Sequence, residues 1–239
     1  MKVSARSLWL AAVVTWIAAA CSSSTGPAIS RNDPGTGTHT LKAVGDISAT
    51  DVPGSSNFNT TFEVVLTNSL GNPVSSASVT INNPNAGNIT LTESVAGSGD
   101  YLASRTLFYD GDFGLTVTRG ADTVRNVVVG GVSRFSIVPP PARLDTLNTA
   151  TQALTVRWTV PSQAKTAAIE TRDYPNTTIP DTGAYVIPGA SNPARPDQRV
   201  RVFRNNEVDI AGGLAGSILT LRVRASVDPF CVRVPGGLC

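Results

Sequence analysis

Ile218-Leu219-Thr220-Leu221-Arg222-Val223-Arg224-Ala225 is apolar at every second position, with Thr220, Arg222 and Arg224 set between Leu219, Leu221, Val223 and Ala225. Successive side chains of an extended strand point to opposite sides, so a period of two buries one set and leaves the other in water. The same period recurs upstream. Phe62, Val64 and Leu66 alternate with Glu63, Val65 and Thr67, while Leu154, Val156 and Trp158 share a face opposite Thr155, Arg157 and Thr159. From Lys42 onward no run shows the spacing of a helix. The chain therefore reads as all-β, with one face of each strand solvated.

Turn residues punctuate the pattern. Asn68-Ser69-Leu70-Gly71-Asn72-Pro73 leads into Ala77, Val79 and Ile81, and further runs at 101–108, 113–118 and 124–129 are separated by Asp110-Gly111-Asp112 and Arg119-Gly120-Ala121-Asp122. A second series follows at 167–171, 184–187, 198–203, 206–210 and 217–226. Between the two stands Pro139-Pro140-Pro141, which cannot lie inside a central strand. The expected organisation is a sandwich over 38–137, a Pro linker over 138–142 and a second sandwich over 143–239.

These turns carry a resemblance. Thr67-Asn68-Ser69-Leu70-Gly71-Asn72-Pro73-Val74, Gly99-Asp100-Tyr101 and Gly111-Asp112-Phe113-Gly114-Leu115-Thr116-Val117 are similar to stretches of bacterial immunoglobulin-like and carboxypeptidase-regulatory-like modules. Trp158 on an early strand resembles the core tryptophan of fibronectin type III and immunoglobulin-like sandwiches, and 181–188 with 198–202 resembles modules of cell-wall-associated surface proteins. The resemblance implies two tandem immunoglobulin-like β-sandwich domains, the second fibronectin type III-like, with a spacer or recognition role.

The N-terminus reads as an address. Lys2 and Arg6 precede an apolar run over 8–20, broken by Thr15, and Ala18-Ala19-Ala20 leads to Cys21. That order is a signal peptide over 1–20. At about 1.5 Å per residue such a run falls short of the roughly 30 Å hydrocarbon core. Ile17-Ala18-Ala19-Ala20-Cys21 resembles the lipobox of bacterial lipoproteins, with Ala18 where Leu is usual. The resemblance implies lipidation of Cys21 and membrane anchoring through acyl chains. The other reading is an ordinary secretory signal cut near Ala20. Ser22, rather than Asp, after the cysteine resembles lipoproteins sorted to the outer membrane of the bacterial cell envelope. Residues 21–37 are rich in Ser, Thr, Gly and Pro, the composition of a flexible tether.

Composition narrows the function classes. In 239 residues, 19 Lys plus Arg stand against 17 Asp plus Glu, too even a balance for a nucleic-acid surface. Removal of Lys2 and Arg6 with the signal leaves 17 basic and 17 acidic side chains, with a surplus of acids over 36–137 and of bases over 138–239. The single histidine, His39, lies before the first strand, and no Gly-x-Ser-x-Gly elbow, Walker loop or zinc spacing is present. The expectation is a non-catalytic binding or structural protein without a cofactor. A two-carboxylate hydrolase stays open, because its carboxyls are paired in space and not in sequence.

Four groups of residues carry candidate chemistry. Cys231 and Cys239 flank a loop with Pro235, Gly236 and Gly237 and read as a disulfide in an oxidising compartment, against free thiols or a metal pair. Arg195, Arg199, Arg201, Arg204, Arg222 and Arg224 form a candidate ligand strip for an anionic envelope polysaccharide, lipid headgroups or an acidic protein partner, against a merely solvated sheet face. Asp100, Asp110 and Asp112, with Asn82, Asn83 and Asn85, are a candidate calcium site or simply turn residues. Tyr174, Tyr185 and Phe203 are candidates for sugar stacking, whereas Trp158 shares its face with core residues.

Overall fold

A computed structural model of the protein describes residues 31–52, 54–108 and 111–239. Cys21, the signal segment and Asp110 lie outside the described residues. The first half of the chain forms β1 (Thr36–Gly37), β2 (Leu41–Asp51), β3 (Phe58–Asn68), β4 (Ser78–Asn83), β5 (Gly87–Glu93), β6 (Asp100–Leu107), β7 (Phe113–Arg119) and β8 (Asp122–Val129). The second half forms β9 (Ile137–Val138), β10 (Thr146–Leu147), β11 (Leu154–Trp158), β12 (Thr166–Thr171), β13 (Thr177–Ile179), β14 (Ala184–Ile187), β15 (Arg195–Asp209) and β16 (Ile218–Val232). No α-helix occurs among the described residues. Two immunoglobulin-like β-sandwiches in tandem account for the sixteen strands of the described residues.

The first sandwich faces β1-β8-β7-β4-β5 against β6-β3-β2, and the end of β5 crosses from one sheet to the other. Phe62 and Phe113 meet between the sheets with ring centroids 6.0 Å apart. Tyr101 is buried there, and its hydroxyl accepts from the Ala77 N–H at 2.9 Å and donates to the Val74 carbonyl at 3.0 Å. The second sandwich faces β14-β11-β9 against β16-β15-β12-β13. Trp158, Val156 and Leu154 of β11 pack inward, as their spacing predicts.

The two sandwiches are fused. β16 pairs in parallel with β2 from Ile218↔Val44 to Arg224↔Thr50, so one sheet runs β6-β3-β2-β16-β15-β12-β13 through both. A single cluster of buried apolar side chains spans both sandwiches. Gly45 stands opposite Leu219 in this ladder, and a Cβ on it would lie 2.7 Å from Leu219 Cδ1. The leucine occupies the space that a side chain at 45 would need.

Further contacts clamp the junction. Arg134, between the sandwiches, pairs with Asp51, donates to the Ser55 carbonyl and lies 5.1 Å over the Phe58 ring. Asn206 Nδ2 donates to the Gly130 carbonyl at 2.8 Å. The chain crosses between sandwiches ahead of the three prolines, since Ile137 and Val138 already pair with Trp158 and Arg157 of the second.

Residues 31–37, assigned by composition to the tether, are docked and not free. The Asp33 N–H and carbonyl both bond Val128 at 2.8 Å, and β1 pairs with β8. Asn32 bridges the sandwiches, donating to the Glu207 carbonyl at 3.0 Å and accepting from the Gly130 N–H at 2.8 Å. Pro34 accepts from the Ala211 N–H at 2.9 Å. Gly37 and Gly212 permit this crossing: a Cβ on Gly212 would lie 2.0 Å from the Thr36 carbonyl carbon. Backbone pairing with two partners outweighs a composition that, taken alone, favours disorder.

Candidate functional site

The solvated face of the shared sheet gathers most of the strip. On β15 the buried positions are Gln198, Val200, Val202, Arg204, Asn206 and Val208, so Arg199, Arg201, Phe203 and Asn205 point outward. On β16, Leu219, Leu221, Val223 and Ala225 are buried, and Arg222 and Arg224 point outward. Cross-strand register sets Glu170 of β12 opposite Arg201, and Arg224 opposite Phe203.

Glu170 is the hub of this cluster. Its Oε1 lies 3.0 Å from Arg201 Nη1 and 3.8 Å from Arg199 Nη2, while Oε2 accepts from Asn176 Nδ2 at 3.2 Å. One carboxylate thus meets two guanidinium groups, with Arg224 diagonal to Arg201. Burial, and after it the charges of Arg201 and Arg199, lower the pKa of Arg224. Arg199 Nε, Arg224 Nε and Asn205 Oδ1 are shielded from solvent and have no hydrogen-bond partner. Such concentrated positive charge with unused donors suits an anion, whose oxygens match the planar fork of a guanidinium.

Two arginines of the expected strip lie elsewhere. Arg204 falls on the buried parity of β15 and is fully enclosed. Its Nε donates to Asp181 at 2.9 and 3.1 Å, one terminal nitrogen reaches Asp181 Oδ2 at 2.6 Å and the Ser162 carbonyl, and the guanidinium lies 5.5 Å over Phe135. Asp181 also accepts from Trp158 Nε1 at 2.9 Å. Arg195 belongs to a separate network at the start of β15, pairing with Asp173 at 2.8 Å and Asp197 at 2.9 Å. Buried Gln198, which sits at a break in the β15–β16 register, orders that corner by donating to Asp173 and accepting from the Arg172 and Arg199 N–H groups. Arg222 remains on the outer face and approaches Asp46 at 4.0 Å.

The calcium arrangement does not assemble among the described residues. Asp100 opens β6, a strand of 8 residues, and Asp112 follows its far end, just ahead of β7. Asp100 accepts from Ser94, and Asp112 accepts from the Gly131 N–H. Asn83 caps its own turn by accepting from the Asn85 and Ala86 N–H groups, and Asn82 donates to Asn88. No group of three or more His, Cys, Asp or Glu side chains there is placed to hold a metal.

Cys231 and Cys239 are joined as a disulfide, which closes the C-terminal loop against β10. Tyr174 and Tyr185 turn to each other, hydroxyl to hydroxyl at 2.7 Å, and not to a shared open platform with Phe203. One carboxylate pair meets part of the hydrolase requirement: Asp46 and Glu63 are cross-strand neighbours on the outer face, and burial raises the pKa of Asp46. Both stand on the solvated face of the shared sheet, the Asp46 side chain 39% exposed. An open cleft of about 540 Å³ lies nearby at the seam, between Lys42, the 67–71 turn, Leu214 and Ala215.

Glu170, Asp181 and Gln198 escaped the sequence reading. Nothing in their local context marks them, because their partners on other strands are set by register alone.

No family model matches this chain, and no curated protein matches it. Among solved structures, the adhesin InvE of Yersinia pseudotuberculosis is 17% identical, with 80% of this chain and 60% of that one covered and a TM-score of 0.25. The chain thus spans about three fifths of the length of that adhesin. The fibronectin(III)-like modules of Clostridium thermocellum CbhA are 12% identical, with 83% and 97% covered and a TM-score of 0.25. Superposition this loose transfers nothing to this chain, and the fold class rests on its own strands.

Proposed function

We propose that this chain is a non-catalytic binding protein of the bacterial cell envelope, anchored through lipid on Cys21 and displaying the shared sheet face to its partner. The observation that carries the binding role is the cluster of Arg199, Arg201 and Arg224 around the single carboxylate of Glu170. Three guanidinium groups against one carboxylate leave a surplus of positive charge on an open surface, which a purely structural face does not need. The anchoring rests on the lipobox-like run ahead of Cys21 and on Ser22, which favours the outer membrane.

Two measurements test the reading. Mass spectrometry of the mature N-terminus should find an acylated Cys21, and an unmodified N-terminus starting elsewhere removes the anchor. The purified chain, freed of residues 1–20, should be retained by isolated envelopes. The pair Arg199→Ala with Arg201→Ala should lose about tenfold in retention, the scale of a charge-assisted bidentate contact. Unchanged retention removes the binding role of the cluster.

A carbohydrate or cell-wall ligand is favoured over a protein partner by Phe203. Its half-buried ring stands on the same face, between Ala168 and Arg224, and supplies an apolar patch among polar groups.

A further inference from the structure

We infer that the ligand of this face is a linear acidic polysaccharide lying across the strands, gripped by Arg199, Arg201 and Arg224 on the second sandwich and continued along hydroxyl and amide groups of the first. The inference rests on the binding reading above and names its ligand class.

Register builds the track. One row of outward side chains runs Phe203, Arg224, Thr50, Asn59 and Thr106 across β15, β16, β2, β3 and β6. The next runs Asn205, Arg222, Ser48, Thr61 and Ser104. Both rows cross the fused junction, so neither sandwich alone presents them. Neighbouring strands lie about 4.8 Å apart, so each row offers a polar group at a period close to the length of one pyranose unit. The groups suit a polyol: hydroxyls and amides that donate and accept, with the Phe203 ring at one end. Thr106 and Asn59, at the far end, already bond each other at 2.6 Å, which holds those two groups in line.

Charge selects an acidic chain and sets its direction. Arg199, Arg201, Arg222 and Arg224 lie toward one end of the face, and a third row, Glu207, Thr220, Asp46 and Glu63, lies beyond them. The acidic row repels an anion lying along the strands, and so confines an anionic polymer to the direction across them. The same row disfavours the broad phosphate backbone of a nucleic acid. Val44, 38% exposed, is the one exposed large hydrophobic residue placed on this face of the four strands β2, β3, β15 and β16, and it sits at the acidic end. An anionic bilayer, which needs apolar insertion beside the charges, therefore fits poorly. A ligand carboxylate would also engage the unpaired Nε donors of Arg199 and Arg224 once the guanidinium groups swing outward.

The test uses the chain freed of residues 1–20 and carrying Cys21→Ser, so that no acyl group can insert into a bilayer, in calorimetric titrations with sodium alginate, with dextran as a neutral chain, and with phosphatidylglycerol vesicles. Alginate should bind, and dextran should bind about tenfold more weakly or not at all, as expected where charge-assisted contacts dominate. Arg199→Ala with Arg201→Ala should lower alginate affinity about tenfold. The uncharged pair Thr61→Val with Ser104→Ala, on the first sandwich, should lower it about threefold through lost hydrogen bonds while leaving the unfolding midpoint in place. Absence of alginate binding, equal binding of dextran, or preferential capture by vesicles overturns the ligand class. An unaffected Thr61 and Ser104 pair overturns the track across both sandwiches. If alginate fails but envelope retention still depends on Arg199 and Arg201, the ligand class falls and the binding role stands; if retention is indifferent as well, both fall.

Discussion

Ile47 and Leu221 are neighbours in a parallel ladder, although one belongs to β2 of the first sandwich and the other to β16 of the second. Parallel neighbours normally arise through a crossover within one domain. Here they join two sandwiches, and both side chains are buried in the same apolar cluster.

The first consequence is cooperative unfolding. Removal of residues 1–20 leaves Trp158 as the one tryptophan, and it reports on the second sandwich. Gly45→Val in the first sandwich, which drives a side chain into Leu219, should destabilise the protein by about 1–3 kcal/mol. Trp158 fluorescence and far-ultraviolet circular dichroism should then shift together in urea. Separate transitions would show that the sandwiches unfold independently.

Arg204 and Asp181 form an enclosed ion pair, with side chains 0% and 4% exposed. Removing one partner strands the other charge away from water, so Asp181→Ala should lower stability by about 3–5 kcal/mol. Adding Arg204→Met should recover much of that loss, because the uncompensated charge leaves as well. Equilibrium urea unfolding of the single and double variants measures the difference, and additive losses would contradict it.

The Cys231–Cys239 bridge spans 8 positions and should stabilise by about 2–3 kcal/mol in the loop-entropy view. Cys239→Ser should lower the melting temperature, and dithiothreitol should lower that of the parent by the same amount. In a Cys21→Ser background, a thiol label that modifies the unreduced protein would show that the bridge is not formed.

Asp46 supplies a pH dependence. Burial raises its pKa above the ordinary 3.8, while Arg222 partly opposes this. The folded state then binds the proton more tightly than the unfolded one, so the stabilisation is full below the unfolded pKa and lost as pH rises through the folded value. Asp46→Asn should therefore raise the melting temperature at pH 7, where the half-buried carboxylate also faces Glu63. The gain should shrink to nothing below about pH 4. A gain that persists at low pH would point to packing and not to charge.

Alternation carried most of the fold into view. Leu219, Leu221, Val223 and Ala225 are buried in the order that the sequence pattern predicts, and so are Phe62, Val64 and Leu66. The disulfide and the core position of Trp158 were equally legible, because loop composition and shared strand parity are local properties. The runs 198–203 and 206–210, read as two strands, are one strand of 15 residues, since the intervening Arg204 keeps the period by facing inward. An arginine at a buried position looks like a break until its partner, Asp181, is known. Arg199, Arg201 and Arg224 could be grouped by parity and proximity, but Glu170 could not. Its place beneath them follows from the β12–β15 register, which no local signal encodes.

The docking of residues 32–39 against both sandwiches has a mechanical meaning. A pull applied through the chain ahead of Arg31, and resisted by a ligand held at Arg199 and Arg201, must be transmitted from the strap and β2 into β16 and β15. The ladder from Ile218↔Val44 to Arg224↔Thr50 would then be loaded along its strands, so that its hydrogen bonds share the load instead of opening one after another. On the proposed reading the fused sheet would carry force between the anchored end and the face of Arg199 and Arg201, and its resistance would be governed by the unfolding rate and not by equilibrium stability.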